Sequence, residues 1–270
     1  MGEKAGTSKP ELAYSAGTGK FIIPPGECPM KPHTLFVSDL HLDASRPAQV
    51  QEFVHFLKNE AHHAQALYIL GDLFEFWIGD DDPAEGLDEI IEALRQLTAQ
   101  GVAVKFLHGN RDFLLGADFA RRTGIEILPA RLVIDLHGTP TLIEHGDLLC
   151  TDDVAYQRYR RRIRHPATLA LLGRLPRSWR LRMGRRLRRV SAEAVAEKPP
   201  DIMDVNQGTV RQVMRSEGVY AMVHGHTHRP AVHRFKVDEI DAVRVVLGDW
   251  YEQGSWLVAD ADGLHPQPAA

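Results

Sequence analysis

The chain has 270 residues, 44% apolar and 25% charged, a balance that suits a globular domain with a sizeable core and excludes a low-complexity or fibrous polymer. Two cysteines, Cys28 and Cys150, are too few for a disulfide framework or a thiolate metal cage, and a reducing compartment is expected. The formal charge of −4 hides a segregation: Gln157 to Val190 holds 13 arginines and no acid, leaving 19 basic against 36 acidic side chains elsewhere, or −17, which points to an anionic partner for that segment.

No run approaches the roughly 18–20 apolar residues that cross a bilayer. Residues 1–30 lack periodicity, and no apolar core follows Lys4, Lys9 and Lys20, so they read as a disordered leader or an appended extension rather than a secretory signal. Residues 31–270 read as one domain. Thr34–Ser38 is the first expected strand, followed by a helix over Pro47–Ala61 with Val50, Phe53, Val54 and Leu57 on one face. Ala66–Leu70 and Val102–Leu107 are the next strands, with a helix over Leu87–Ala99 between them and a short one over Ala117–Arg122 after them. Leu132–Leu136 and Thr141–Glu144 resemble a hairpin around His137–Gly138–Thr139–Pro140. A helix over Val205–Ser216, a strand over Val219–Val223 and three more strands complete the chain to Ala259. This order predicts a layered α/β sandwich with a helical cap inserted at about 153–200.

Polar residues gather just after the apolar runs: Ser38-Asp39-Leu40-His41, Gly71-Asp72, His108-Gly109-Asn110-Arg111-Asp112, Glu144-His145-Gly146-Asp147 and His224-Gly225-His226-Thr227-His228. Ligands bind at the carboxyl ends of strands in α/β sheets, so these clusters are expected to converge. Asp39, His41, Asp72, Asn110, His145, His226 and His228 form a mixed oxygen and nitrogen set that suits Mn²⁺, Fe²⁺ or Zn²⁺. They are too many for one ion; two ions roughly 3.5–4 Å apart sharing a carboxylate accommodate them and clamp a phosphoryl group. Gly71, Gly109, Gly146 and Gly225 are expected to allow the tight turns between them. His55, His62 and His63 fall on a helix, and His33, His137, His165, His233 and His265 lack clustered partners, while His108 and His224 are candidates for orienting a ligand. Gly79 and Asp80–Asp82 read as a loop.

The order DxH, GD, GNRD, HGD and GHTH resembles the calcineurin-like metallophosphoesterases over roughly Thr34 to Val258. That resemblance implies a four-layer α/β/β/α sandwich in which Asp39, His41, Asp72 and His228 hold one ion and Asp72, Asn110, His145 and His226 the other. A hydroxide between the ions would be the nucleophile. Many members carry His after the GN pair; here it is Arg111, whose fixed charge cannot deliver a proton near neutrality but whose fork can grip phosphate oxygens. Such a residue favours a leaving group that departs as a stable phosphate.

Longer strings, SDLHL, GDLFEFWIGDD, GNRDFLLG, HGDLLCTDD and IMDVNQ, resemble the UDP-2,3-diacylglucosamine pyrophosphatase family of the lipid A pathway. The resemblance implies metal-dependent hydrolysis at the α-phosphorus, releasing UMP and an acylated sugar 1-phosphate, with two Mn²⁺ as the expected cofactors. Asp72, Asn110 and Arg111 would act in catalysis; Asn110, Arg111, Asp153, Tyr156, Arg188, Ser191, Lys198 and His226 would contact substrate. The Arg-rich segment interleaves Leu169, Leu171, Leu172, Leu175, Trp179, Leu181, Met183 and Leu187, the pattern of an interfacial helix on an anionic membrane or of a slot for acyl chains. The expected location is the cytoplasmic face of the inner membrane. Neither nucleic acid nor an obligate protein partner is expected, since the acidic body repels a polyanion. The competing readings are a nucleotide pyrophosphatase or phosphodiesterase acting on soluble substrates and a non-catalytic scaffold.

Overall fold

Short apolar runs make the centre of each sheet. In the computed structural model, which describes residues 13–15, 20–22, 32–197, 204–251 and 254–268, two units separate at Lys31. In the first, β1 (Ala13–Ser15) and β2 (Lys20–Ile22) form an antiparallel ribbon with Ala13 opposite Ile22; the rest of the leader reading lies outside the described residues.

In the second unit, β3 (Thr34–Val37), β4 (Ala66–Ile69), β5 (Ala103–Phe106) and β6 (Glu126–Ile127) run parallel. The helices between them are α1 (Pro47–Asn59), α2 (Asp88–Ala99) and α3 (Ala117–Thr123). Pro47 opens α1, and the acids Asp88 and Glu89 sit at the positive end of α2. Val50, Phe53, Val54, Leu57, Ile90, Leu94 and Leu97 are buried against one face of the sheet. Each such side chain contributes about 1.5–3 kcal/mol by leaving water.

The second sheet holds β7 (Arg131–Leu136), β8 (Thr139–Glu144), β9 (Ala221–His224), β10 (Ala231–Val237) and β11 (Ile240–Val246), in the order β10-β11-β9-β8-β7. The first is closed by β12 (Ser255–Asp260) and β13 (Gly263–Pro268), in the order β13-β12-β3-β4-β5-β6. Phe36, Leu70, Leu107, Ile143, Val223, Val245 and Leu257 fill the space between the sheets. Outside the second sheet lies α7 (Gln207–Glu217), started by Asn206 accepting from Thr209 N and packed through Val210 and Met214. The result is the four-layer α/β/β/α sandwich.

Some boundaries differ from the sequence reading. The hairpin turn is two residues, His137 (φ +50) and Gly138 (φ +87), not four, because paired positive φ values match the strand twist and let Thr139 and Pro140 join β8. The short β6 and the Pro-containing β13 lie at the edges of their sheet, where few ladder bonds are needed, and neither has a periodic signal. The helix after β3 stops at Asn59, followed by a 3₁₀ turn over Ala61–His63.

Between β8 and α7 lie α4 (Val154–Ile163), α5 (Pro166–Arg174) and α6 (Arg177–Glu197). Arg180 is buried: its guanidinium donates to Ile78 O and Leu175 O and pairs with Asp81, fastening α6 to the Gly79–Asp82 loop. Asp80 accepts from Gly116 N and Asp118 N and Asp82 from Ala84 N, so these acids serve the loop. Among the described residues no helix is long and apolar enough to cross a membrane.

Candidate metal centre

The polar clusters all sit at the carboxyl ends of β3, β4, β5, β8 and β9, and the chain is bent hard to aim them. Asp39 (φ +54), His41 (φ +48), Asp72 (φ +52), His226 (φ +73) and His228 (φ +54) adopt left-handed backbone that costs a side-chain-bearing residue energy and persists where surrounding structure over-determines it. Asp39 N donates to Gly71 O and His41 N to Asp72 O, which zips the first two loops together. Gly71 (φ +90) and Gly146 (φ +120) make the expected tight turns, whereas Gly109 and Gly225 serve close approach. At Gly109 a Cβ would lie 2.0 Å from Asp72 Oδ1, and at Gly225 it would lie 2.2 Å from Asp39 Oδ2, so both leave room for carboxylates.

The donor atoms face inward. Asp72 Oδ2 lies 3.9 Å from His41 Nε2 and 3.8 Å from His145 Nε2, midway between the two halves, while Arg111 N pins its Oδ1 at 2.8 Å. On one side, His228 Nε2 is 3.2 Å from His41 Nε2 and 3.4 Å from Asp39 Oδ1. On the other, His145 Nε2 is 3.0 Å from Asn110 Oδ1 and 3.2 Å from His226 Nδ1. The opposite ring nitrogens are engaged: His145 Nδ1 donates to Leu70 O at 2.8 Å, and His228 Nδ1 lies 2.9 Å from Asp249 Oδ2. His41 Nδ1 lies 3.2 Å from Glu75 Oε2.

This arrangement fits divalent ions. Asp39 Oδ1 is buried without a hydrogen-bond partner, and lone pairs of imidazole, amide and carboxylate groups point at one another. Asp39, His41 and His228 form one group of mutually close donors, and Asp39, Asp72 and His145 another. Acids that back imidazole ligands raise their basicity and hold their orientation. Burial alone would raise the Asp39 pKa, but contact with His228 and the nearby imidazoles hold it well below the usual carboxylate range. Burial would likewise lower His228, yet Asp249 and Asp39 push it up to about 10. Desolvation and the facing His145 lower the half-buried His226 to about 4.

Several residues here were not singled out from sequence. Glu75 and Asp249 back two histidines, and Asp112, buried beside Asp72 and raised to about 7, holds Gly109 N and Leu73 N. Asp147 accepts from Tyr156 Oη at 2.7 Å and Arg160 Nε at 2.5 Å. Asp112 and Asp147 stand inside motifs, GNRD and HGD, which was the available signal; the pairing of Glu75 and Asp249 with histidines is a long-range event. His224 receives Arg244 at Nε2 and donates from Nδ1 to Gly225 O, and His108 contacts Leu115 O.

The residues expected to meet substrate are distributed unevenly. Asn110, Arg111 and Tyr156 line a cavity of about 310 Å³ between body and cap, whose apolar walls include Phe76, Trp77, Leu172, Met183 and Leu187. Arg111 Nε is buried there with no partner, and His226 stacks on Tyr156 at 6.1 Å. Asp153 caps α4 by accepting from Tyr156 N. Arg188 and Ser191 lie on α6 in a stretch whose side chains are outside the described residues, and Lys198 is outside them altogether.

Fold and donor set together define a metal-dependent phosphoesterase. Residues 32–230 match the calcineurin-like phosphoesterase family. The chain is 52% identical over 233 residues to the UDP-2,3-diacylglucosamine hydrolase of Nitrosococcus oceani, covering 86% of this chain and 93% of that protein. It is 49% identical over 232 residues to the enzyme of the same name from Serratia proteamaculans, covering 86% and 97%. A solved archaeal phosphodiesterase structure covers 87% of this chain and 99% of its own at 10% identity and a TM-score of 0.45, a distance at which it carries no weight. The chain belongs to the UDP-2,3-diacylglucosamine hydrolase family within the calcineurin-like phosphoesterases.

Proposed function

We propose that the protein hydrolyses the pyrophosphate bond of UDP-2,3-diacylglucosamine at the α-phosphorus, giving UMP and 2,3-diacylglucosamine 1-phosphate for lipid A biosynthesis. The observation that carries this reading is the cavity: its apolar walls run directly to Asn110 and Arg111 at the metal centre. Its volume, about 310 Å³, lies at the low end of the roughly 300–1,000 Å³ that small-molecule sites occupy. A soluble nucleotide has no use for such walls, and for that reason the soluble-substrate reading is not favoured.

Asp39, His41, Asp72, Asn110, His145, His226 and His228 would hold divalent ions, which when bound would supply Lewis acidity and nucleophile activation. Manganese is the proposed ion, on the family resemblance; the mixed oxygen and nitrogen donor set also accommodates Fe²⁺ or Zn²⁺. The chain supplies the rest. Asp72 is kept in place by Arg111 N, and Asn110 Oδ1 lies 3.0 Å from His145 Nε2. The Arg111 guanidinium, with Nε unsatisfied, grips phosphate oxygens and balances charge that develops on the departing phosphate. A phosphate monoester leaves as a stable anion, so no proton donor is needed at this position. Leu172, Met183 and Leu187 take the acyl chains out of water.

The outer face of the cap supports a location on the cytoplasmic face of the inner membrane. Leu171 and Trp179 are 59% and 60% exposed among arginines that have no acidic neighbour in their own segment. Each arginine near an anionic surface contributes about 1 kcal/mol. Co-sedimentation with anionic vesicles, lost on Trp179→Ser together with Leu171→Ser, is the expected result.

The deciding experiment measures UMP release with Mn²⁺ from the diacylated UDP-sugar beside its deacylated analogue. A strong preference for the acylated substrate is expected. Equal turnover of the two, or none of either, overturns the reading.

A further inference from the structure

The first cap helix, α4, is fastened at three places, and each meets a loop that carries one ligand of the same half of the metal centre. Arg164, at its carboxyl end, donates through Nη2 to Gly109 O at 2.5 Å, the carbonyl just before Asn110. Tyr156 Oη and Arg160 Nε both donate to Asp147 Oδ2, two residues after His145, while Gln157 Nε2 donates to Asp147 O at 2.7 Å. The Tyr156 ring stacks on His226 at an interplanar angle of 30°. Asn110, His145 and His226 are thus all reached from one helix. Among the described residues the other half has different supports: Glu75 and Asp249 face His41 and His228, Tyr251 stacks on His41 at 5.1 Å, and Arg46 lies over Tyr251. None of these belongs to the cap.

We propose that α4 braces the Asn110–His145–His226 half of the centre alone, with Asp147 as the positioning residue at its focus. Asp147 is 2% exposed, and its Oδ2 accepts two hydrogen bonds from α4, which ties the His145 loop to the helix. Groups that orient metal ligands from behind change metal affinity by about 10–100-fold. Because the brace touches one half, that change falls on one ion. The same helix presents Ala155, Tyr156 and Tyr159 to the cavity, so whatever fills the cavity presses on the element that steadies this ion.

The test uses no substrate, so its failure is distinct from failure of the proposed reaction. Metal-stripped protein is titrated with Mn²⁺ by calorimetry as wild type, Asp147→Asn, Tyr156→Phe and Asp249→Asn. The brace predicts that Asp147→Asn weakens one binding step about tenfold and leaves the other at its wild-type value. Tyr156→Phe, which keeps the ring and loses one hydrogen bond, weakens the same step by less. Asp249→Asn weakens the other step. Should Asp147→Asn fail to fold, Tyr156→Phe decides alone. Both steps unchanged, both weakened alike, or Asp147→Asn and Asp249→Asn acting on the same step would each overturn the proposal.

Discussion

His41 and His228, 187 residues apart in the chain, aim their Nε2 atoms at one another across 3.2 Å. Their other ring nitrogens face Glu75 and Asp249. Two imidazoles meet in this way with a proton or a cation between them, so an ion bound here would tie the two loops together. Stripping the protein with a chelator should abolish turnover and lower the melting temperature. At ion concentrations about 100-fold above Kd, each site contributes about 2.7 kcal/mol of stability. Calorimetry with and without restored Mn²⁺ checks this; an unchanged melting temperature on stripping argues against ion binding here.

The raised pKa of His228 gives a sign to the pH dependence. In metal-free protein the group binds its proton more tightly than in the unfolded chain. The stability this contributes is full below about pH 6.5 and is lost as pH rises towards about 10. An ion at this position displaces that proton. Metal affinity should therefore climb with pH from neutrality, by up to about tenfold per unit from this group. Titrations in buffers of different ionisation enthalpy should reveal a proton released on binding.

Asp72→Ala removes the carboxylate midway between His41 and His145 and the acceptor for Arg111 N. Turnover should fall by at least about 10³-fold, as loss of a shared ligand removes the pairing of ions. Elemental analysis should find fewer than two ions per chain. Full metal content with intact activity would contradict the shared role.

Arg111→Ala should leave both ions bound, because only its backbone N–H touches a ligand. Removing one preorganised donor to developing charge costs about 10²–10³-fold in kcat. Arg111→Lys should recover part of that, since a point charge replaces the fork imperfectly. Loss of metal in the alanine variant would move Arg111 from substrate clamp to scaffold.

Gly184 places α6 against Phe76: a Cβ there would lie 1.6 Å from the ring. Gly184→Leu should push the helix from the cavity wall and raise KM for the acylated substrate several-fold, with a smaller change in kcat. Overpacking of this kind costs about 1–3 kcal/mol, so a modest fall in melting temperature should accompany it. An unchanged KM would separate this wall from the acyl chains.

Much of the centre was legible because its signals are local. A short apolar run followed by Asp, Asn or His marks a strand end, and the order of five such ends picks out the candidate ligands. Segregation of 13 arginines into one acid-free segment marked the inserted cap. The turn at His137–Gly138 and the strands Glu126–Ile127 and Gly263–Pro268 were not resolved, since shortness and proline remove the periodicity on which such reading depends.

The sequence by itself determined the family and the order of the candidate ligands, because each depends on neighbours within a few residues. Only the tertiary structure decided which groups stand behind the ligands. Glu75 meets His41, Asp249 meets His228, and Asp147 meets Tyr156 and Arg160 through separate sheets and an inserted helix. It also divided the arginines: Arg160, Arg164 and Arg180 are spent on Asp147, Gly109 and the Gly79–Asp82 loop rather than on an outside anion. Charge composition counts these side chains alike. Burial and partner geometry, which arise only when the layers pack, separate those that build the site from those that face outward.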